Sequence, residues 1–539
     1  MKLPFDVVIR RGTIVDGTGE AAYTGDLGIV GDRIVCIGEI NDVGRFTIDA
    51  EDCVVSPGFI DIHSHTDEFV FANPTSESKV SQGVTTEVSG NCGYSAAPRG
   101  GLHDLGEYQQ FLRQYGLQTG WSSMSDFFAI LERLPKTINF ATFVGHGTIR
   151  SLVMGFEART PTSDELANMQ RLIEECMEAG ALGLSTGLAY APGCYADTEE
   201  LIRVAEPVAR YGGIYATHIR DEADGLVDAV AEVIKIAQES RVSVQISHHK
   251  ACGLKSRGKV RETLAMIDAA RAEGLDVWVD VYPYIATSTS LRSILPQWAH
   301  DGGTPGLLAR LRNGPTRETL CAWLIDEAEK GRISDCGGWA SIVISLVEKE
   351  KYRFCEGRSI DEIARKVGKD PADVVLDLLS DADANVGIIA FVISDEDIAY
   401  VIGHPVSLIG SDATARAKTG PLSAGKPHPR AYGTFPRVLR IYVRENPMLR
   451  LEEAISKMTG RTARRLGLKR RGFLRKGYYA DIVVFEPNTL TDTATFDNPH
   501  NHAEGIRYVL VNGQVVLENG RLQDCPACRP GRILRRAVS

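Results

Sequence analysis

This sequence of 539 residues lacks the features that mark membrane and nucleic-acid-binding proteins. No run of about 18 apolar residues occurs, which argues against a membrane-spanning helix. No cluster of lysine and arginine stands out and the formal net charge is -10, which argues against nucleic acid as the main partner. Residues 1–11 hold no apolar stretch typical of a signal peptide. We therefore expect a cytoplasmic protein that binds neither membrane nor nucleic acid.

The cysteines give no sign of a disulfide framework. There are 11 of them, an odd number, and they are scattered along the chain. In a large chain without an export signal, this pattern favours reduced thiols. Cys525 and Cys528 form one Cys-x-x-Cys pair, but no second pair accompanies it. We interpret this pair as a feature of the tail rather than as a metal or redox site.

Both ends of the chain are rich in short strand patterns. A chain of this length exceeds one simple core, so two or three domains are expected. Residues 5–55 alternate apolar runs with glycine turns, and residues 480–516 repeat this style. Asn512-Gly513 between two apolar runs is a strong hairpin signal. The sequence predicts a small β-sandwich domain assembled from residues 1–57 and 475–539.

Between these ends, strand patterns alternate with helix patterns. The helix patterns include residues 164–179, 225–239 and 259–273, where apolar positions recur every three or four residues. Eight strands joined by crossovers indicate a TIM-like (β/α)8 barrel over residues 58–474, with its active site at the carboxyl ends of the strands. A small subdomain is expected after strand seven, within residues 285–406. The predicted strands are 58–65, 83–92, 138–146, 181–190, 213–220, 242–250, 275–284 and 406–412.

Five of the predicted strands end in residue types that bind metals. On a strand, side chains two positions apart point the same way, so the first strand can aim two imidazoles at one point. Thiolate, imidazole and carboxylate together favour Zn²⁺ over a hard cation such as Mg²⁺. Because these strand ends share one face of a barrel, the sequence predicts a zinc site there. The residues are His63, His65, Cys92, His218, His248 and Asp412.

A zinc site of this kind predicts hydrolytic chemistry. An open coordination position on Zn²⁺ lowers the pKa of bound water to about 7 and so supplies hydroxide at neutral pH. Asp412 would orient that water and carry its proton to the leaving group. The expected reaction is the hydrolysis of a carbonyl compound.

Several motifs resemble those of the N-acyl-D-amino-acid deacylases, also called D-aminoacylases, of the amidohydrolase superfamily. The resemblance runs through nearly the whole chain. The combination of a Gly-Asn-Cys segment with a His-His-Lys segment is its most specific part. The motif segments are 57–65, 90–93, 185–190, 217–220, 246–250, 282–284, 410–412 and 428–435.

The resemblance implies a division of the metal ligands. Cys92, His218 and His248 would hold one tightly bound zinc, and His63, His65 and Asp412 a second, weaker position. The cysteine would take the bridging place of the carboxylated lysine in hydantoinase-like relatives, and residues 182–190 contain no lysine. Asp412 would act first as general base and then as general acid.

The resemblance also implies a site for the substrate α-carboxylate, formed by Tyr190, Lys250, Ser288 and Arg292. A carboxylate in a partly dry pocket needs cations and hydroxyl donors, and arginine offers a planar fork of two donors. Family members usually carry glycine after the aspartate of strand eight, where this chain has Ala413.

Three other histidines are assigned from their positions. His249 neighbours His248 and should point the opposite way on a strand, so it is not expected to be a ligand. His146, at the end of strand three, would either contact substrate or serve the structure. His428 is expected to support the site from a loop.

The expected function is zinc-dependent cleavage of the amide bond of N-acyl-D-amino acids, which releases a carboxylate and a free D-amino acid. An alternative keeps this chemistry but changes the substrate to a cyclic amide, such as a hydantoin or dihydropyrimidine, or to a bulky aryl amide. A third interpretation is an inactive barrel with a binding role, but such relatives lose ligands and all six positions are present here. The preferred acyl group, the preferred side chain and the oligomeric state stay open.

Overall fold

The fold of this chain is mixed α/β. The computed structural model describes residues 4–100, 120–523, 525 and 528–536. Its strands fall in a nine-stranded sheet, two parallel sheets of six and three strands, and one antiparallel sheet of three strands. Neither parallel sheet closes on itself within these described ranges.

The nine-stranded sheet combines both ends of the chain. Its central pairing joins Val54–Pro57 to Ile482–Phe485 in antiparallel register. Asn512 and Gly513 take positive φ angles of 47° and 80° between two paired strands, which confirms the predicted hairpin turn. The other strands are Phe5–Ile14, Tyr23–Val30, Arg33–Gly38, Gly44–Asp49, Ile506–Val511, Gln514–Glu518 and Arg521–Leu522.

The two parallel sheets hold strands within all eight predicted strand segments. The third segment is divided at Phe143, and His146 already begins the helix His146–Met154. The observed strands are shorter than predicted because their last residues turn out of the sheet into loops. The smaller sheet contains Phe59–Asp61, Val84–Ser89 and Asn139–Thr142, and the larger contains Val144–Gly145, Gly183–Gly187, Ile214–His218, Ser243–Ile246, Val277–Val281 and Ser407–Ile409.

Amphipathic helices connect the parallel strands. A capping box starts Ser163–Ala179: the Thr162 hydroxyl accepts a hydrogen bond from the Glu165 amide, and the Glu165 carboxylate accepts one from the Thr162 amide. All three predicted helices are confirmed within two residues at each end. Outside residues 286–403, the α-helices of the described ranges are Phe69–Ala72, Glu77–Val80, Met124–Arg133, His146–Met154, Ser163–Ala179, Thr198–Arg210, Leu226–Ser240, Lys259–Ala272, Arg430–Arg437, Leu451–Met458 and Gly460–Arg465, with a π-helix at Val438–Glu445.

Residues 286–403 interrupt the series of parallel strands. Ala286–Ser290, Ile342–Val347 and Val386–Phe391 form the antiparallel sheet, with the last of these in the middle. Buried apolar side chains between Leu291 and Ile388 form a cluster separate from the main core. The helices of this segment are Gly303–Arg312, Gly314–Glu329, Arg332–Asp335, Ile360–Val367, Pro371–Asp381 and Asp395–Gly403.

One expectation about the cysteines is wrong. Cys525 and Cys528 form a disulfide, with their Cα atoms 5.1 Å apart, whereas the sequence predicted reduced thiols throughout. The Cys528 amide donates a 2.9 Å hydrogen bond to the Cys525 oxygen, and the distance between the two Cα atoms lies within the usual range for a disulfide. The other nine cysteines are free. In the part of the chain that is described, no helix is long and apolar enough to cross a bilayer.

Candidate metal centre

The predicted ligands lie at or just beyond the carboxyl ends of parallel strands. His218 is the last residue of Ile214–His218, while Cys92, His248 and Asp412 follow their strands by two or three residues. The latter three have φ angles of 52°, 35° and 51°. Such left-handed conformations cost about 1–3 kcal/mol in a non-glycine residue and cluster at functional sites. The strain therefore coincides with the candidate ligands.

Gly93 allows the loop of Cys92 to approach the neighbouring strand. Its φ is +80°, and a Cβ atom at this position would lie 2.6 Å from the backbone nitrogen of Gly187. No larger side chain fits there without a shift of one strand end. Gly93 thus allows the loop after Cys92 to lie against the end of the strand Gly183–Gly187.

One group of donor atoms surrounds the thiol of Cys92. Its Sγ atom lies 3.4 Å from His63 Nε2 and 3.4 Å from His248 Nε2. A carboxylate oxygen of Asp412 lies 3.4 Å from His63 Nε2 and 2.9 Å from His65 Nε2. Bonds of about 2.3 Å from zinc to sulfur and about 2.0–2.1 Å to nitrogen place two tetrahedral ligand atoms about 3.5 Å apart. The spacing of these side chains fits one zinc ion.

His218 lies next to this group. The centres of the His218 and His248 rings are 4.5 Å apart. Both histidines also form a second cluster of possible ligands with Glu222. His63 thus groups with Cys92 and His248, whereas the sequence placed His63 in the other ligand set.

Two carboxylates orient the imidazoles from behind. Asp280 Oδ1 lies 3.0 Å from Nδ1 of His63 and accepts a hydrogen bond of 2.7 Å from the backbone amide of His248. Glu222 Oε1 lies 3.0 Å from Nδ1 of His248. A carboxylate on the outer ring nitrogen holds the ring orientation and leaves Nε2 free for a metal.

The electrostatics of the site favour charged ligands. Burial raises the pKa of the Cys92 thiol, but His63 and His248 offset this and hold that pKa well below its usual range. Burial likewise raises the pKa of Asp412, while the Arg430 guanidinium, 2.8 Å away, and the nearby imidazoles hold it well below its usual range. The thiolate and carboxylate forms are those that bind metal.

A cavity of about 1450 Å³ opens onto this cluster and extends to the segment 286–403. Tyr190, Lys250, Ser288 and Arg292, which the family resemblance assigned to the substrate carboxylate, all line it. The ring of Tyr190 lies 4.8 Å from the His218 ring. Ser288 and Arg292 come from the segment 286–403, so the cavity is built from both parts of the chain.

Lys250 is the buried cation closest to the imidazoles. Its ammonium donates hydrogen bonds to Glu222 and to the backbone oxygen of His248, the latter at 2.9 Å. Burial lowers the pKa of Lys250, but the adjacent carboxylate of Glu222 more than offsets this and raises that pKa above its usual value. The lysine is therefore charged where it faces the cavity.

His146, His249 and His428, which the sequence did not assign as ligands, lie outside the cluster. His249 points away and contacts Thr263, as the strand geometry predicted. His146 contacts Glu200 and is absent from the cavity lining, which favours its structural role. His428 accepts a hydrogen bond from the Arg430 amide through Nδ1, so it orients a cavity residue from behind.

Sequence reasoning missed Glu222, Asp280 and the contact between Arg430 and Asp412. Glu222 stands four residues after His218. This spacing indicates two side chains on the same face only when both lie on a helix, and Glu222 lies in a loop. Asp280 is the next-to-last residue of the strand Val277–Val281, without any histidine nearby in sequence. Only the assembled fold brings these side chains together.

Comparison with known proteins assigns the family. The chain matches the model of the amidohydrolase family over residues 47–332 and 391–517. It is 38% identical over 537 residues to a D-aminoacylase of Alcaligenes xylosoxydans xylosoxydans, with 99% of each chain covered. It is also 38% identical over 537 residues to an N-acyl-D-aspartate deacylase of that organism, with 98% of this chain and 95% of the relative covered.

A solved structure agrees with these relatives. The N-acyl-D-glutamate deacylase of Bordetella bronchiseptica, complexed with zinc and a phosphonate that mimics the tetrahedral intermediate, is 34% identical. It matches with a TM-score of 0.82 over 99% of this chain and 100% of that chain. The chain therefore belongs to the amidohydrolase family and, within it, to the N-acyl-D-amino-acid deacylases.

Proposed function

We propose that this protein is a zinc-dependent hydrolase that cleaves the amide bond of N-acyl-D-amino acids to a carboxylate and a free D-amino acid. The observation that carries this proposal is the convergence of Cys92, His63, His248 and Asp412, whose donor atoms lie within 4.8 Å of one another. Full-length similarity to D-aminoacylases supplies the substrate class.

Six residues are proposed to hold metal. As the family resemblance implied, Cys92, His218 and His248 would form the tight site, and His63, His65 and Asp412 the weaker one. Cys92 Sγ lies 3.4 Å from Nε2 of His248 in the first set and 3.4 Å from Nε2 of His63 in the second, so the two sets adjoin at the thiol. When bound there, zinc would lower the pKa of a water molecule and polarise the amide carbonyl. The lowered pKa of Cys92 supports this assignment, since a thiolate is the form that ligates.

Asp412 is proposed to move the proton. Its Oδ1 lies beside His63 and His65, and its other carboxylate oxygen faces Arg430. A carboxylate at this point can accept a proton from the attacking water and deliver it to the departing amine nitrogen. Because its pKa is held low, Asp412 starts the cycle as the base.

Lys250, Arg292, Tyr190 and Ser288 are proposed to bind the substrate α-carboxylate. Their common position on the cavity wall supports this role. Two cations and two hydroxyls hold a carboxylate in one orientation and thereby present one face of Cα to the metal centre. The selectivity for D substrates would follow from this anchoring.

We also propose that the parallel strands form a (β/α)8 barrel. The two sheets adjoin where Thr142 and Val144 flank Phe143. On the other side, Ser64 and Ala413 form a parallel bridge, and the Asp412 amide donates a 2.7 Å hydrogen bond to the His63 oxygen. These contacts support closure between the first and the last strand.

The proposed domains are a β-sandwich of residues 1–57 and 475–539, the barrel of residues 58–474, and an insertion within residues 285–406. The separate apolar cluster of the insertion and the pairing of terminal strands support this division. The reaction is proposed to take place in the cytoplasm, on a small-molecule substrate without nucleic acid or membrane as partner.

A substrate panel tests the function. We expect the zinc-loaded enzyme to hydrolyse N-acetyl-D-methionine, N-acetyl-D-aspartate or N-acetyl-D-glutamate faster than the matching L compounds, measured as release of free amino acid. Hydantoin and a dihydropyrimidine serve as the cyclic-amide arm. Faster cleavage of the L compounds, or ring opening without deacylation, would contradict the proposal.

A further inference from the structure

A buried lysine lies directly behind the loop that carries Asp412. Lys79, in the short helix Glu77–Val80, has 0% exposure. Its ammonium donates three hydrogen bonds: 2.6 Å to Asp61 Oδ2, 2.7 Å to Ser411 Oγ and 2.8 Å to the oxygen of Ala413. Two of the three acceptors therefore belong to the neighbours of Asp412 on either side.

Asp61 extends this network to the metal-binding loop of the first strand. Its Oδ1 atom accepts hydrogen bonds from the amides of Ser411, at 2.8 Å, and His63, at 3.3 Å. Its Oδ2 atom accepts a 2.6 Å bond from the Ser411 hydroxyl besides the bond from Lys79. The pair of Asp61 and Lys79 thus ties the loop after the first strand to the loop after the last.

We propose that Asp61 and Lys79 are positioning residues that set the location of the Asp412 carboxylate relative to His63 and His65. This inference rests on the proposed function, in which Asp412 moves the proton. Neither residue lines the cavity, so neither contacts substrate. Their effect on the reaction passes through the backbone of residues 411–413.

The backbone of Asp412 explains why such support is needed. Its φ of 51° is a conformation that non-glycine residues adopt only when the surroundings impose it. Lys79 holds the residue after Asp412 by its carbonyl oxygen and the residue before it by its hydroxyl. An ammonium with three donors suits this task, since it can hold Asp61 and two points of the loop 411–413 at once.

The control comes from a second buried lysine, in the helix Leu451–Met458, whose ammonium contacts the other end of the strand Ser407–Ile409. Lys457 also has 0% exposure, but its ammonium donates to the oxygens of His404 and Ser407, at the amino end of Ser407–Ile409. It is far along the strand from Asp412 and contacts no predicted ligand. Replacing it disturbs a buried lysine without touching the loop 411–413.

The test compares three variants by steady-state kinetics on N-acetyl-D-methionine. Asp61→Asn/Lys79→Met removes both partners of the ion pair together, so that neither is left buried without the other. Glu87, 4.0 Å from the Lys79 ammonium, keeps its hydrogen bonds from the hydroxyls of Ser64 and Thr66. We expect kcat to fall about 100-fold, the effect of a catalytic group displaced by about 1 Å, with KM nearly unchanged. Ser411→Ala keeps the ion pair, loses the hydrogen bonds of the hydroxyl with Lys79 and Asp61, and should lower kcat about 5- to 10-fold. Lys457→Met should retain wild-type kcat.

Two further readouts separate positioning from general damage. Zinc content should stay at the wild-type level in all three variants, because Cys92, His218 and His248 are intact. A crystal structure of the double variant should show loss of the 2.9 Å contact between Asp412 and His65. Ser411→Ala serves if the double variant does not fold.

The inference is overturned if folded Ser411→Ala and the double variant keep wild-type kcat and the contact of Asp412 with His65. An equal loss of kcat in Lys457→Met would overturn it as well, because the effect would then be general. A wild-type enzyme without deacylase activity would instead refute the proposed function. In that case the position of Asp412 in the variant crystal structure still decides the inference.

Discussion

The two buried lysines at opposite ends of the strand Ser407–Ile409 have different charge environments. Lys79, at the carboxyl end, forms a 2.6 Å ion pair with Asp61. Lys457, at the amino end, contacts carbonyl and hydroxyl oxygens, and burial lowers its pKa to about 7. The carboxyl end holds a charge pair beside the candidate metal centre, whereas the amino end holds a lysine that loses its charge near neutral pH. The two ends of this strand thus differ: a buried ion pair and a strained backbone lie at one end, and a buried lysine that donates to uncharged oxygens lies at the other.

Removal of the thiol at the carboxyl end should have the largest effect. We expect Cys92→Ala to lose bound zinc and all measurable turnover, since the thiolate lies between two of the imidazoles. Metal analysis and deacylase assays of the purified variant measure both. Free Cys176, which is buried in the core, provides the matched control as Cys176→Ala. Turnover retained in Cys92→Ala would show that catalysis does not require the Cys92 thiolate.

Neutralising the proposed base should have the next largest effect. We expect Asp412→Asn to lower kcat on the order of 10³-fold, because general acid–base catalysis contributes about 10²- to 10⁴-fold. Zinc should stay bound through Cys92, His218 and His248. Steady-state kinetics with metal analysis checks both statements. A variant that keeps kcat would assign the proton transfer to another group.

Weakening the support of an imidazole should have a smaller effect. Glu222→Gln loses the carboxylate that lies 3.0 Å from His248 Nδ1. Replacement of such an outer partner lowers metal affinity about 10- to 100-fold. Competition with a chelator measures the zinc dissociation constant, with Glu232→Gln, whose carboxylate pairs with Arg220, as the control. Unchanged affinity in Glu222→Gln would show that the contact with His248 does not tune the metal ligand.

Lys457, at the amino end of the strand Ser407–Ile409, should make the stability of the protein depend on pH. The pKa of Lys457 falls from 10.5 to about 7 on folding, so the unfolded chain binds the proton more tightly. The free energy of unfolding therefore rises as pH increases from about 7 to about 10.5, by up to about 1.4 kcal/mol per pH unit from this group.

Lys457→Met should flatten that slope. Urea unfolding between about pH 8 and 10 measures it, and the exposed Lys476→Met should keep the wild-type slope. An identical slope in wild type and Lys457→Met would mean that this lysine stays charged in the folded protein, and the contrast with Lys79 would disappear.

Much of the scaffold could be predicted from local patterns. Helix 163–179 follows from its capping residues and apolar spacing, and the turn at Asn512-Gly513 from two residues that tolerate positive φ. The metal-binding residue types at the ends of the predicted strands placed the site at the carboxyl ends of the parallel strands. The break at Phe143 was not predictable, because an apolar run gives no sign of where hydrogen bonding passes from one sheet to the next.

The supporting contacts of the site could not be predicted in this way. Lys79 and Ser411 are 332 positions apart in sequence, and His63 and Asp280 are 217 apart. A lysine in a short helix is ordinarily solvated, and nothing in its sequence neighbours indicates burial. Such contacts form only when folding brings together loops that follow strands far apart in the sequence.

Cobalt substitution tests the central claim most directly, namely that the thiolate of Cys92 shares a metal ion with the imidazoles. The enzyme is stripped of metal and titrated with Co²⁺, and the sulfur-to-cobalt charge-transfer band in the near ultraviolet is followed. The account predicts a band that saturates as the tight site fills and that is absent in Cys92→Ser. Tight binding of Co²⁺ to the wild-type enzyme without this band would contradict it.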